Sequence, residues 1–197
     1  MRPLLVVLLL AAPLPALAGA QQYEPLADSV RARLSQQVSD RAVPAMAFRS
    51  SADAQRWLAE MDARLARRIP DRKQRQELLR TVHYEATRAR LDPQLVLGVM
   101  EVESGFRKYA VSRAGARGYM QVMPFWTKLI GLPAHNLFHL RTNLAYGCAI
   151  LRHYLDLENG DYFRALGRYN GSLGQPEYPN LVLTAWRGRW KYDGPVG

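Results

Sequence analysis

From Ser51 to Trp190 the apolar residues recur at offsets of three and four, and glycine or proline interrupts the pattern at intervals of about one helix. No run alternates apolar with polar residues as a half-buried strand must, and no segment repeats another, so the chain is expected to be mostly α. Ala54, Trp57, Leu58, Met61 and Leu65 form one apolar stripe, which Pro70 ends; Leu78, Leu79, Val82 and Ala86 form a second between Asp71 and Arg90. Asp92 followed by Pro93 is a strong helix start. The carboxylate accepts from a free N–H of the first turn, and proline at the first helical position has no N–H to leave unpaired. The helix it opens runs through LVLGVMEVE to Ser104 and Gly105. Further helices are expected over about 116–123, 125–130, 142–158, 162–170 and 178–190, with Gly131, Gly160 and Gly171 just past three of their ends. Residues 21–50 hold little sustained period beyond a short helix near Ser29 to Val38, and are expected to form a loosely ordered arm.

The length, 197 residues, suits one ordinary domain with a small extension. The chain opens MRPLLVVLLLAAPLPALAGAQQ: Arg2, a short apolar run from Leu4 to Leu10, prolines, then small residues at Ala16, Ala18 and Ala20. That order is a secretory signal peptide over residues 1–20, and the run is shorter than the ~20 apolar residues of a membrane span. The expected mature protein is exported and periplasmic, with no stable membrane insertion. Cys148 is the only cysteine, which excludes an internal disulfide and a multi-cysteine metal site. The formal net charge of +10 suits a polyanionic partner: nucleic acid, anionic lipid or cell-wall polymer.

On the helix that begins at Pro93, Val96, Val99, Met100 and Glu103 share one face at about 100° per residue, and Glu101 points the other way. One carboxylate is therefore aimed at the core. By residue type alone it could equally cap a neighbouring helix or pair with one of the many arginines. A carboxyl group in a partly apolar cleft also holds its proton near neutral pH, which makes it a candidate acid for cutting a glycosidic bond.

The stretch ESGFRKYAVSRAGARGYMQVMP, from Glu103 to Pro124, resembles the soluble lytic transglycosylase family, the lysozyme-like enzymes that cut bacterial peptidoglycan. The likeness lies in the Glu-Ser opening, Ala110 with Ser112, the Gly-Ala-x-Gly turn and the Met-Gln block followed by Met-Pro. RYNGSLG from Arg168 resembles the family's Ala-Tyr-Asn-Ala-Gly segment, and the helical stretch between the two blocks matches as well, so the resemblance runs from about Asp92 to Trp190. Tyr119, Arg168 and Gly171-Ser172 depart from the family pattern at positions that flank the catalytic set.

The resemblance implies a lysozyme-like helical catalytic domain over residues 91–192, with residues 21–90 as an N-terminal arm and helical extension. Glu103 would be acid and base, and Ser112 would hydrogen-bond a substituent of the N-acetylmuramic acid ring. Gln121 and Met123 would line the groove, Ser104 would join them in binding substrate, and Tyr169 with Asn170 would fix the sugar and the catalytic carboxylate. By type alone Ser104 and Ser112 are also ordinary caps, Met120 and Met123 core filler, Tyr169 a packing residue and Asn170 a helix C-cap. Trp126, Tyr146, Tyr154, Tyr169 and Tyr178 are candidate stacking surfaces for sugar rings.

No Asp or Glu occurs between Glu103 and Asp156, so the second carboxylate that many glycosidases use is absent nearby, although Glu85 or Glu177 could fold into the cleft. The resemblance implies substrate assistance instead, with a 1,6-anhydromuramic product and no metal or cofactor. The expected substrate is the β-1,4 bond between N-acetylmuramic acid and N-acetylglucosamine in peptidoglycan glycan strands. A hydrolytic muramidase and a non-catalytic wall-binding assembly protein are the alternatives. A nucleic-acid partner is not expected of an exported chain without a recognisable reading helix. A small catalytic domain with a helical arm fits both general wall turnover and local opening of the wall for secretion or pilus machinery.

Overall fold

The computed structural model describes residues 21–39, 42 and 45–194; the expected signal peptide lies outside them. Among the described residues there are eight helices: α1 (Asp28–Ser39), α2 (Ser51–Leu65), α3 (Arg72–Arg88), α4 (Pro93–Ser104), α5 (Phe125–Ile130), α6 (Leu140–Leu157), α7 (Tyr162–Asn170) and α8 (Glu177–Arg187). No strand forms among them; extended pairing is limited to the isolated bridges Val111 with Arg117 and Arg117 with Val122. The mostly α class expected from the apolar period is the class observed, and no described helix is long and apolar enough to cross a membrane.

Local chemistry sets the helix starts. Ser50, Asp71, Asp92 and Asp161 each accept a first-turn N–H of α2, α3, α4 and α7, at 3.1, 2.8, 2.7 and 3.0 Å. Gly105 and Gly171 end α4 and α7 in the left-handed conformation. The second oxygen of Asp92 takes the Trp186 indole N–H at 2.9 Å, so the cap of α4 also ties it to α8.

α4 is the central helix. Leu95, Val96, Leu97, Val99 and Met100 are all fully buried, as expected where a helix is apolar on every side. It packs on α8 and α3, and α6 packs on α3, α7 and α1, around one continuous core from Leu34 to Trp190. Glu101, on the face away from Glu103, is not in open solvent. It accepts from Arg68 at 2.7 Å, from Arg189 and from the Trp190 indole at 2.7 Å, joining the α2–α3 connection to the C-terminal segment.

Two expectations are corrected. Residues 116–123 are not helical. They form a tight turn whose Gly118 and Gln121 have φ of +76° and +49°, values that no right-handed helix contains. The period there comes from Ala116 and Met120, buried, and Met123, half-buried, on an irregular loop. The arm is not loose in its described part either: α1 buries Leu34 and packs on α6 and α5, Arg33 pairs with Asp156 at 3.2 Å, and Arg88 donates to the Gln37 carbonyl at 2.6 Å.

Candidate active site

Glu103 sits in the last turn of α4, where the apolar face meets the end of the helix, and is 5% exposed. Its Oε1 accepts the Tyr178 hydroxyl at 2.7 Å, while Oε2 is buried without a hydrogen-bond partner. Tyr178 is placed by the first turn of α8, which packs along α4. Burial of the carboxyl raises its pKa to about 8, against the opposing pull of the Tyr178 hydrogen bond. No charged side chain contributes to that shift. Of the two acids considered for the cleft, Glu85 is buried against Arg88 and Arg141, and Glu177 is exposed and lines a cavity with Glu101 and Val102. The arrangement is a protonated carboxylic acid at neutral pH, with one phenol beside it and, among the described residues, no second carboxylate bonded to it.

The segment 117–123 lies against the end of α4, where Ser104 follows Glu103, and is taken as a wall of the site; four parts of the molecule hold it. Ser104 Oγ donates to the Tyr119 carbonyl at 2.7 Å from α4. Asn143, on the buried face of α6, accepts from the Met120 N–H and donates to the Arg117 and Leu137 carbonyls, all at 2.8 Å. Tyr169 of α7 donates to the Met120 carbonyl at 2.7 Å. From the arm, the Gln21 amide accepts the Met123 N–H at 3.2 Å and the Trp126 indole N–H at 3.0 Å, and donates to the Gln121 carbonyl at 3.3 Å. Gln121 adds its own amide, which donates to the Ala110 and Gly118 carbonyls at 3.1 and 2.9 Å.

The sequence-derived site residues thus divide. Ser112 and Met123 are half-buried; Ser112 Oγ accepts the Ala116 N–H at 3.1 Å and keeps its own hydrogen to donate. Ser104, Gln121, Tyr169 and Asn170 are buried, Asn170 at the end of α7 just before Gly171. Ser104 Oγ lies within hydrogen-bond distance of the Met100 and Tyr119 carbonyls, at 3.1 and 2.7 Å. The hydroxyl on the carboxylate is that of Tyr178, and Tyr169 instead supports Met120. All five aromatics considered for sugar stacking are buried, Trp126, Tyr146, Tyr154, Tyr169 and Tyr178 each by at least 97%. Asn143 and Gln21 were not singled out from sequence. An asparagine on the apolar face of a helical period is a visible signal for the first, whereas nothing local marks the second. Among the described residues no three or more His, Cys, Asp or Glu side chains converge as metal ligands do. A cavity of about 870 Å³ between α1, α3 and α6, walled by Arg33, Arg88, Arg90 and Arg152, includes none of these site residues.

Residues 80–178 match the family model described as Transglycosylase SLT domain. The transglycosylase of Enterobacteria phage PRD1 is 36% identical over 123 residues, which cover 59% of this chain and 45% of the phage protein. Membrane-bound lytic murein transglycosylase C of Actinobacillus pleuropneumoniae serotype 5b is 52% identical over 48 residues, 24% of this chain and 13% of that protein. The chain therefore spans less than half the length of these relatives. Among solved structures, an inactive mutant of the lytic transglycosylase Slt from Pseudomonas aeruginosa superposes on 57% of this chain and 20% of its own. Its identity is 24% and its TM-score 0.43, below the level at which a common global fold is shown.

Proposed function

The chain belongs to the Transglycosylase SLT domain family, and from that membership we propose that it cleaves peptidoglycan glycan strands as a lytic transglycosylase with Glu103 as acid and then base. The observation that carries the reading is the Glu103 carboxyl itself: buried, hydrogen-bonded on one oxygen only, holding its proton up to about pH 8, and without a second acid beside it.

In the first step the proton on Glu103 passes to the oxygen that links N-acetylmuramic acid to N-acetylglucosamine. The C–O bond breaks, and the substrate's own N-acetyl oxygen supports the cationic carbon. In the second step the Glu103 carboxylate takes the proton of the muramic 6-hydroxyl, whose oxygen closes on the anomeric carbon. The acid is regenerated and a 1,6-anhydro sugar leaves without consuming water. A hydroxyl on the same ring has a proximity advantage that a free water lacks, and a single carboxyl suffices because it gives and later takes one proton. Tyr178 stabilises the carboxylate between the two steps by donating to Oε1.

Ser112 and Met123, the half-exposed members of the set, contact the sugar, while Ser104, Gln121 and Tyr169 hold the segment that carries Met123. The net charge of +10 favours the anionic wall. The leader-like residues 1–20 support export to the periplasm, where the same reaction serves wall turnover or an opening for secretion or pilus machinery.

Mass spectrometry of purified peptidoglycan, digested by the protein and in parallel by Glu103→Gln, tests this. Anhydromuropeptides from the wild type alone are expected. Reducing-end muropeptides, one water heavier, would replace the reading by a muramidase.

A further inference from the structure

Gln21 lies about a hundred residues from the wall segment, yet its side chain is 3% exposed and makes three hydrogen bonds within that segment and α5. The pattern of those bonds is specific. Val122 pairs on one side with Arg117, through N–H to carbonyl bonds of 3.0 Å in both directions. The Gln121 carbonyl and the Met123 N–H face the other side, and the Gln21 amide takes both, as the edge of a neighbouring strand would. The same oxygen holds the Trp126 indole, so the amide also fastens the wall to the first turn of α5. Gln121 needs such support because it is not glycine and sits at φ +49°, a conformation that persists only where its surroundings over-determine it. The rest of the arm follows Gln21 onto the catalytic unit: Tyr23 meets the Phe125 ring edge-on at 5.8 Å, and Glu24 pairs with Arg168 at 3.4 Å, beside Tyr169 and Asn170.

We propose that Gln21 is a positioning residue for glycan cleavage, an arm side chain that sets the backbone of residues 121–123 in the substrate wall. The inference rests on the transglycosylase reading, because it assigns that wall to the glycan. Gln21 does not touch Glu103 and acts only through the segment it holds.

The test uses the full chain with Gln21→Ala and Gln21→Glu, the latter keeping an oxygen for the Met123 and Trp126 donors while losing the donor to Gln121. In Gln21→Ala, exchange of the Met123 amide and the Trp126 indole is expected to accelerate by about tenfold or more, the factor that follows losing one buried hydrogen bond. kcat/KM on peptidoglycan, per folded molecule, is expected to fall by about tenfold as the wall shifts, with the Glu103 limb of the pH profile unmoved. Gln21→Glu retains the protection at both donors and recovers part of the activity. A residue with a merely structural role would lower the unfolding midpoint and leave kcat/KM per folded molecule unchanged.

Sacculus binding by Gln21→Ala in the Glu103→Gln background is read separately and is expected to weaken. A wild type that binds sacculi without cleaving them removes the transglycosylase reading and leaves Gln21 to be judged by exchange and binding. Unchanged exchange at Met123 and Trp126, or faster exchange with unchanged kcat/KM and sacculus binding, overturns the assignment.

Discussion

Glu103 combines two features that push a carboxyl toward its neutral form, burial and an oxygen with nothing to donate to it. Its folded-state pKa of about 8 stands above the ordinary value of 4.5 that it has in an unfolded chain. The folded protein keeps the proton where the unfolded chain has lost it, so this group's contribution to stability is greatest below about pH 4.5 and declines as pH rises to about 8. Glu103→Gln removes the decline. Unfolding free energies from urea titrations at pH 4 to 9 are expected to converge at the acid end and to favour the glutamine variant at the alkaline end, by up to about 5 kcal/mol. A parallel decline in both proteins would assign the pH dependence to another group. Tyr178→Phe deletes the one hydrogen bond that favours the carboxylate, so the Glu103 pKa rises further and the falling limb of kcat/KM moves to higher pH. An unmoved limb would show that the phenol does not donate to the acid during turnover. Glu103 was legible in the sequence because its face follows from helix period alone. Its partner was not, since Tyr178 looked like any other aromatic on an amphipathic stretch.

At the scale of elements, the wall segment 117–123 is where local reading and structure part. Ala116, Met120 and Met123 are spaced as a helix spaces them, but the backbone bonds that a helix would make internally are made to Ser104, Asn143 and Tyr169 from three other helices. Gly118 makes the turn possible. It has φ +76°, and a Cβ there would lie 2.5 Å from both the Leu137 carbonyl oxygen and the Asn143 amide nitrogen. Gly118→Ala is expected to cost about 2–4 kcal/mol in unfolding experiments, through backbone strain and displacement of Asn143 together. Asn143→Ala leaves the Met120 N–H and two carbonyls without their buried partner. A comparable loss of about 2–4 kcal/mol is expected in the same assay, and a neutral effect would show that the turn holds itself. By contrast, the start of α4 was readable as Asp92, since a cap needs only its own first turn, and Ser50, Asp71 and Asp161 cap α2, α3 and α7 by the same local rule.

Over the whole molecule, the helices before residue 91 are not an appendage to an independent catalytic unit. Leu78, Leu79, Val82 and Ala86 of α3 are buried in the same core as α4 and α6, and the family match itself begins at residue 80, inside α3. A chain beginning at Leu91 is therefore expected to lose cooperative unfolding, whereas the chain from Gln21 keeps it. Circular dichroism through a urea titration distinguishes the two, and a sharp transition in the shorter chain would establish residues 91–192 as a domain in their own right. The helical period, the caps and the acid on a buried face are properties of neighbouring residues, and the sequence by itself determined them. Only the tertiary structure decided that Tyr178 meets Glu103, that Asn143 and Tyr169 brace the wall, and that Gln21 reaches it from the arm. The physical reason is separation along the chain. The Tyr178–Glu103 and Gln21–Trp126 bonds join residues 75 and 105 positions apart, and such pairs meet only after burial of the shared core has brought their helices together.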